Sequence, residues 1–326
     1  MTTRYAPGVA PITPGSSLKP LMYMRSEKIE RIKRDSILSR ISTFKGFGKC
    51  GQAMAVRHEF DTRDGVQELE HGGVMKAQRV IQPRDEVFMI GDQFGTLLAW
   101  PECDWMRIMD NDPEYINEVT DAYHEKSMLA FDSRAMAKLI GEAHPKNRGP
   151  MAGILSSQIN LGTSLVPLTV DPAKVWHMHH AMKRVMEEHA ATSSKTGRKM
   201  YAIVREGFLE NIALNDRLSS YYHNGQCHTC VSPTMGESRT VDGIEYIKST
   251  CLPYRMEGGS MVYPIIFGWD DALWFGMDWA LNRKEGGPGD NNKYLELYWH
   301  LGLKLHLPRK VGVMWVKVDP PETGGM

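Results

Sequence analysis

The spacing of apolar residues predicts two long helices in this 326-residue chain. The first begins at Asp112-Pro113, where an acidic N-cap precedes a proline at the first helical position, and its pattern continues unbroken to Gly141. At the α-helical rise per residue it would be roughly 45 Å long. The second begins with the same signal at Asp171-Pro172, and a shorter amphipathic helix is predicted over Glu27–Ile41. The apolar stripe predicted for the first helix consists of Ile116, Val119, Tyr123, Ala130, Ala137 and Ile140.

Short apolar runs and alternating patterns predict strands on both sides of these helices. A further helix is predicted over Arg205–Ser220, and Gly95–Trp100 is a short apolar segment. Strands and helices together indicate an α+β protein. The predicted strands are Ala53–Phe60, Val74–Ile81, Met200–Val204, Gly243–Thr250, Ile265–Phe267, Trp274–Met277, Tyr294–Leu307 and Val311–Val318.

The segment from Gly51 to Ile90 is predicted to be a long two-stranded excursion with a charged, glycine-rich tip. An isolated two-stranded ribbon is only marginally stable in water, so this one needs another surface to lie on. We therefore expect an intersubunit element whose tip contacts basic residues of a neighbouring subunit. The tip residues predicted to make that contact are Asp61, Arg63, Asp64, Glu68 and Glu70.

Charge is balanced over the whole chain but uneven along it. With 39 basic and 39 acidic residues the net charge is zero, so no global positive field indicates nucleic-acid binding. The stretch Lys19–Lys49, however, is strongly basic, and the preceding Met1–Ser17 has the composition of an extended, partner-dependent strap. The basic stretch is either a solvated helix face or an arm that lies along a neighbouring subunit or faces a packaged polyanion. Arg31, Lys33 and Arg34 are the arm residues predicted to contact a neighbour.

Cysteine usage and hydropathy indicate the compartment in which the chain folds. The five cysteines are odd in number and form no disulfide framework, and no apolar run reaches membrane length. These features predict a protein that folds in a reducing cytoplasm and has no membrane partner.

Cys227 and Cys230 have the spacing of half a zinc site. His223 and Cys251 could complete a set of four ligands, but no second Cys-x-x-Cys is present. We predict that the pair is a free dithiol in a polar loop, with no metal and no cofactor.

His177, His179 and His180 crowd one helical turn. A zinc-protease helix would require a glutamate between properly spaced histidines, and this stretch has none. His179 shares the helix face of Val175 and Met182, so we predict a core or interface histidine there.

Other catalytic templates are absent from the sequence. It has no phosphate-binding loop of the Walker type, no dinucleotide-binding glycine motif and no nucleophile elbow. The adjacent carboxylates Asp270-Asp271 are expected to diverge rather than form a catalytic pair. A run of aromatic residues is predicted to pack in the core or at an interface rather than to stack on a ligand: Trp269, Trp274, Phe275, Trp279, Tyr294, Tyr298 and Trp299. We therefore predict that the protein is not an enzyme.

The order of these elements resembles the major capsid proteins of tailed bacteriophages with the Hong Kong 97-type fold, and in layout those of short-tailed podophages most. The resemblance covers nearly the whole chain. It concerns the order of the elements and the general character of their sequences, and no diagnostic motif supports it. Val241–Ile247, followed by Leu252-Pro253, is similar to the family's strand before a proline. The ending of the chain, a strand broken at Pro308-Arg309 and then Val311–Val318, is similar to its closing strands. No scaffolding segment is recognisable before the arm, and no Lys–Asn pair suggests the covalent crosslinking of some members.

The resemblance implies a division of the chain. Residues 1–50 would form the N-terminal arm and residues 51–92 the extended loop. Residues 93–160 would form a peripheral domain with a spine helix at 112–143, and residues 161–290 an apical domain. Residues 291–310 would return through the peripheral domain, and residues 311–326 would form a closing apical strand and tail.

The resemblance also implies a function. The chain would assemble through pentamers and hexamers into an icosahedral shell around phage DNA, in the cytoplasm of a bacterial host. Scaffolding and portal proteins, and in some shells a decoration protein, would be its partners. An encapsulin-like cellular compartment is one alternative, and a metal-dependent enzyme using the His and Cys clusters is another.

Overall fold

The computed structural model describes residues 36–46, 51, 53–57, 85–111, 115–188, 199–215, 239–285 and 290–319. Its helices are α1 (Leu38–Ile41), α2 (Glu102–Asn111), α3 (Tyr115–Glu142), α4 (Pro172–Glu188) and α5 (Glu206–Leu214). Short 3₁₀ turns follow at Pro145–Asn147 and Pro308–Lys310.

The strands in chain order are β1 (Ser42–Gly46), β2 (Ala53–Arg57), β3 (Asp85–Met89), β4 (Asp92–Pro101), β5 (Leu168–Thr169), β6 (Met200–Val204), β7 (Arg239–Val241), β8 (Ile244–Lys248), β9 (Arg255–Glu257), β10 (Ser260–Trp269), β11 (Leu273–Glu285), β12 (Asn292–Leu305) and β13 (Val311–Val318). The predicted strands Met200–Val204 and Val311–Val318 are confirmed at both ends. The pattern missed α2 and the short strands β1, β5, β7 and β9. β1 and β5 pair with strands distant in sequence, whereas β7 and β9 are three-residue strands that pair with the strands directly after them. The predicted strand Val74–Ile81 lies outside the described residues.

A four-stranded sheet in the order β1-β11-β12-β4 supports the long helix. α3 lies on one face of this sheet, where Phe131 packs against Phe94 with ring centroids 5.3 Å apart. The indole N–H of Trp299 donates to Nδ1 of His124 across the same interface, at 3.3 Å. The predicted long helix therefore rests on strands from two distant parts of the chain; residues 112–114 lie outside the described part.

The buried face of α3 differs from the predicted stripe. Ile116 is buried as predicted, but Ala137 is exposed and Ala130 is only half-buried. The predicted stripe linked residues seven apart, and that spacing drifts around a straight α-helix. Residues spaced mainly three and four apart are buried in the core instead: Phe131, Ala135, Met136, Leu139 and Ala143.

A seven-stranded sheet forms the second half of the molecule. Its order is β5-β13-β10-β6-β8-β7, with β9 paired to β10. Every residue of β6 is buried, and α4 and α5 pack against each other beside this sheet. The turn between β7 and β8 is the two-residue Asp242-Gly243, with φ of 44° and 84°. Two positive φ values in succession match a type I′ hairpin, for which Asp-Gly is a preferred sequence.

The two sheets share one hydrophobic core because the chain passes directly between them. β10 of one sheet continues into β11 of the other through Asp270 and Asp271, and β12 continues into β13 through the turn at Pro308–Lys310. The side-chain amide of Asn147 donates to the carbonyls of Arg309 and Val311, and Lys310 pairs with Asp271. Asp271 is therefore engaged in the junction between the sheets. The domain boundaries drawn from the sequence stay predictions.

Replacing Ala130 by proline should destabilise the protein by about 3 kcal/mol or more, because proline removes a helical hydrogen bond and collides with the preceding turn. The matched variant Ala130→Gly should lose only about 1 kcal/mol. Urea unfolding of both variants checks the difference. Equal losses would show that α3 is not held as a continuous helix.

Candidate assembly surfaces

The root of the extended loop is an antiparallel pair, β2 with β3, in which Ala53 faces Met89 and Arg57 faces Asp85. The amide of Gly51 donates to the carbonyl of Ile90 at 2.9 Å and closes the root. Burial alternates along the end of this ribbon: Phe88 and Ile90 are buried, whereas Val87 and Met89 are exposed. The ribbon thus lies on its own subunit with one face and leaves an apolar face uncovered.

Two facing glycines let the root lie directly on the sheet. Gly276 of β11 pairs with Gly302 of β12. A Cβ at Gly276 would stand 2.7 Å from Cε1 of Phe88, and a Cβ at Gly302 would stand 2.8 Å from the carbonyl oxygen of Met89. Real Cβ atoms do not approach other atoms so closely, so the contact requires glycine at both places. We call Gly276 and Gly302 the glycine notch, and Phe88 occupies it.

Side chains of β1, β11 and β12 around the notch also hold the root on the sheet. Phe88, Ile90 and Trp274 form a small buried cluster of their own. Trp274 stacks on His306 with centroids 3.9 Å apart and an interplanar angle of 17°, and the ammonium of Lys45 lies 4.6 Å from its ring centroid. The ammonium of Lys304 donates to the carbonyl of Val87 at 2.9 Å.

The inner end of the N-terminal arm is fixed to α3. The hydroxyl of Ser36 donates to the carboxylate of Asp132 at 2.6 Å, and the amide of Ile37 donates to the same carboxylate at 3.4 Å. Burial raises the pKa of Asp132, and these hydrogen bonds act against that rise. Leu38 and Ile41 complete the attachment by burying their side chains in the main core.

The arm and the extended loop start from the same place on the sheet. β1 continues from the arm and pairs in parallel with the beginning of β11, Ser42 with Leu273 and Gly46 with Gly276. The Gly46 carbonyl lies 3.1 Å from where a Cβ of Gly276 would be. Both segments that the sequence predicts to reach a neighbour are therefore rooted at the glycine notch.

The residues predicted to make intersubunit contacts lie outside the described part of the chain. This applies to the loop-tip residues Asp61, Arg63, Asp64, Glu68 and Glu70 and to the arm residues Arg31, Lys33 and Arg34. Their contacts stay predictions. The structure shows that both segments are attached at the glycine notch, which the sequence analysis did not predict. The signal for this attachment in the sequence is a pair of glycines, Gly276 and Gly302, within strands.

The aromatic run packs as predicted where it is most buried. Trp274, Phe275, Trp279 and Trp299 are almost fully buried in the sheets. Phe275 contacts Phe44 of β1 with centroids 5.0 Å apart, which helps to fix the arm. These rings are part of the core and leave no exposed stacking platform among these four residues.

His179 is a core histidine, as its helix face predicted. Its ring is completely buried, with Nδ1 2.7 Å from the hydroxyl of Tyr246 and Nε2 3.4 Å from the carboxylate of Asp242. Asp242 also accepts a hydrogen bond from Lys183 at 2.7 Å. The neutral ring with its proton on Nε2 satisfies both contacts. This cluster ties α4 to the turn between β7 and β8.

Burial lowers the pKa of His179 to about 4, although its contact with Asp242 favours the charged form. Burial likewise raises the pKa of the Tyr246 phenol well above its usual range. Both groups are therefore neutral near pH 7, which suits a structural link rather than proton transfer.

The described residues contain no group of three His, Cys, Asp or Glu side chains able to hold a metal ion. Cys227, Cys230 and His223 lie outside them, so the prediction that this loop binds no metal stands untested. Cys251 is described, and its thiol lies 3.9 Å from the carbonyl of Leu129. Within the described ranges, none of the helices has the length and apolar character needed to cross a membrane.

Comparison with solved structures identifies the fold. A chain from the asymmetric unit of the bacteriophage PhiM1 mature capsid matches with a TM-score of 0.52 at 12% identity, over 98% of this chain and 93% of that chain. A chain from the capsid of cyanophage P-SCSP1u gives 0.51 at 12% identity, over 87% and 88%. A chain from a structure of Mycobacterium phage Che8 gives 0.51 at 10% identity, over 87% and 91%.

At these identities the likeness concerns the fold, which is the Hong Kong 97-type fold of phage capsids. The predicted fold class is therefore confirmed. No protein-family model matches the sequence, and no curated protein matches it significantly.

Filling the glycine notch should loosen the root of the extended loop. Gly302→Ala places a methyl group against Met89 and Phe88, and overpacking of this kind lowers the free energy of unfolding by about 1–3 kcal/mol. The control Gly91→Ala adds a methyl where no atom lies within 4 Å. Urea unfolding and the rate of protease cleavage within residues 58–84 check the expectation. Unchanged values for Gly302→Ala would show that the notch does not fix the loop.

Acid should weaken the subunit through His179. Its folded pKa of about 4 lies below the ordinary value of 6.5, so between these pH values the unfolded chain binds a proton that the folded chain does not. Stability is therefore lost as the pH falls from 6.5 towards 4, by on the order of 3 kcal/mol. The control His179→Gln does not titrate. The difference in unfolding free energy between the two proteins, measured from pH 7 to pH 4, should shrink accordingly; a constant difference would contradict the assignment.

Proposed function

We propose that this chain is the major capsid protein of a tailed bacteriophage and that its copies assemble through pentamers and hexamers into an icosahedral shell around double-stranded DNA. The observation that carries the proposal is the fold match, which extends over nearly the full length of chains from phage capsids.

The arrangement of the described residues suits a shell subunit. Two long segments are rooted at one notch, on a sheet that a 28-residue helix supports. Heterologous contacts that close by rotation form rings, and rings of five and six close a shell. A net charge of zero lets many copies pack closely without strong mutual repulsion.

The extended loop and the arm are proposed to bind neighbouring subunits. Fixed roots make this effective, because a segment anchored at one end loses less conformational freedom when its far end binds. Acidic tip residues such as Asp61 and Glu68 would pair with basic groups of the next subunit. Arg31, Lys33 and Arg34 would lie along a neighbour or face the packaged DNA.

The remaining parts of the proposal follow from the same role. The subunit has no catalytic activity of its own and needs no cofactor. Scaffolding and portal proteins are its proposed assembly partners, with a decoration protein on the finished shell. Folding and assembly take place in the bacterial cytoplasm, and the mature location is the virion.

Cryo-electron microscopy of the chain, expressed alone and together with the products of neighbouring genes, tests this function. We expect closed icosahedral particles with five-fold and six-fold rings of this chain. Closed particles that enclose a protein cargo, from a locus without portal or terminase genes, would favour the encapsulin-like alternative. A soluble chain that forms no particle in either setting would contradict the proposal.

Deleting Asp61–Gly73 should abolish particle formation while leaving a folded subunit. The deleted residues belong to the predicted loop tip, whereas β2, β3 and the glycine notch remain. Removal of residues 321–326, the polar tail, serves as the control and should leave particle yield unchanged. Sedimentation and circular dichroism measure assembly and folding separately. An unfolded, aggregated deletion variant would place the tip in the subunit's own core.

A further inference from the structure

Among the described residues, three cations with no carboxylate partner lie together where the two sheets join. Lys146 and Arg148 lie in and directly after the 3₁₀ turn that follows α3, and Arg309 lies in the 3₁₀ turn between β12 and β13. All three residues are exposed. The ammonium of Lys146 donates to the hydroxyl of Ser157 at 3.1 Å, a contact that leaves its charge without a counter-ion. We call Lys146, Arg148 and Arg309 the basic cluster.

Contacts between the two turns fix the position of the basic cluster. The buried side chain of Asn147 donates to the carbonyls of Arg309 and Val311, at 2.8 and 2.9 Å. The amide of His144 donates to the carbonyl of Pro308 at 3.3 Å. Backbone from two distant parts of the chain therefore holds the three cations on one rigid surface.

The three charges converge on one histidine. Burial and then the positive charges of Arg309, Arg148 and Lys146 lower the pKa of His144. An effect of all three cations on the same ring places them around one point of the surface. Charges of one sign that are held together repel each other, so this arrangement favours a counter-charge from another molecule.

The carboxylates closest to the cluster in these turns are already engaged. Glu142, at the end of α3, pairs with Lys138, and Asp271 pairs with Lys310. The ion pairs within the described part of the chain include none of the three cluster cations. The neutralising carboxylates therefore have to come from elsewhere.

We propose that the basic cluster receives the acidic tip of the extended loop of a neighbouring subunit. The tip, Asp61–Gly73, contains four acidic residues and one arginine, so its net charge is −3 with histidine neutral. The basic cluster carries the opposite charge of +3. Complementary charges of this kind select a partner and set its position on the surface. The inference rests on the proposed function and adds to it the surface that receives the loop.

Packaged DNA fits the basic cluster less well. Double-stranded DNA carries one negative charge per about 1.7 Å of its axis, so proteins that hold it neutralise many phosphates. The cluster has three cations, and the exposed Glu142 lies just before it in the chain. A few separate carboxylates on a loop can match three cations, whereas a continuous phosphate chain would also meet Glu142.

Charge exchange tests the pairing. Arg148→Glu with Arg309→Glu, and separately Asp64→Arg with Glu68→Arg, should each reduce the assembled fraction roughly tenfold or more, because like charges then meet. All four substitutions in one chain should restore assembly to within about threefold of the unmodified chain, since opposite charges face each other again. Sedimentation measures the assembled fraction, and circular dichroism shows that each variant is folded.

The control for charge exchange is Lys126→Glu with Lys174→Glu, which changes the net charge equally at two other exposed lysines. It should assemble normally. The inference would be overturned by normal assembly of both double variants, by a folded fourfold variant that does not recover, or by an equal loss in the control. Shells that assemble normally but retain less DNA after the reversal at Arg148 and Arg309 would assign the cluster to DNA instead.

Zero-length crosslinking tests the contact in the unmodified protein. A carbodiimide joins a lysine amine directly to a carboxylate that touches it. In particles assembled from isotopically light and heavy subunits, Lys146 should be joined to a carboxylate within Asp61–Gly73 of a different copy, and mass spectrometry of the mixed peptides identifies the link. Particles in which Lys146 gives no such link would contradict the inference. If the chain forms no particles, the proposed function fails, and the same crosslinking of the concentrated soluble protein decides the inference.

Discussion

Where β3 crosses the four-stranded sheet, the two backbone layers approach so closely that a Cβ at Gly276 or Gly302 would collide with Phe88 or Met89. That contact fixes the extended loop. β1, at the end of the arm, pairs with β11, the strand that contains Gly276. The two segments proposed to reach neighbours thus begin from one rigid position. Rigidity at the root matters in an assembly, because a small angular error there becomes a large displacement at the far end of the segment.

The rest of the body keeps that position rigid. α3 lies on the sheet that contains the notch, and its carboxylate Asp132 holds the last residues of the arm. The chain crosses directly between its two sheets at Asp271 and at the turn Pro308–Lys310, and one continuous core joins the sheets. His179 adds a buried polar link between α4 and the turn that joins β7 to β8, and burial lowers its pKa to about 4.

Charge is unevenly distributed along the chain, although the net charge is zero. The arm and the loop tip carry many charges, which suits contacts between unlike surfaces of neighbouring subunits. Heterologous contacts of this kind form rings when they close by rotation, and such rings are the units of the proposed shell. The balance of 39 basic and 39 acidic residues lets many copies pack closely without strong mutual repulsion.

Local signals in the sequence determined the class of the protein, the helix α4, and strands such as Met200–Val204 and Val311–Val318, since periodicity and turn residues act over a few positions. The order of these elements was sufficient to predict the Hong Kong 97-type fold. Only the tertiary structure decided which face of α3 is buried, that Gly276 and Gly302 form one notch, and that Asp132 binds Ser36. These depend on residues brought together from distant positions in the chain, and the packing free energy of such contacts outweighs local preference.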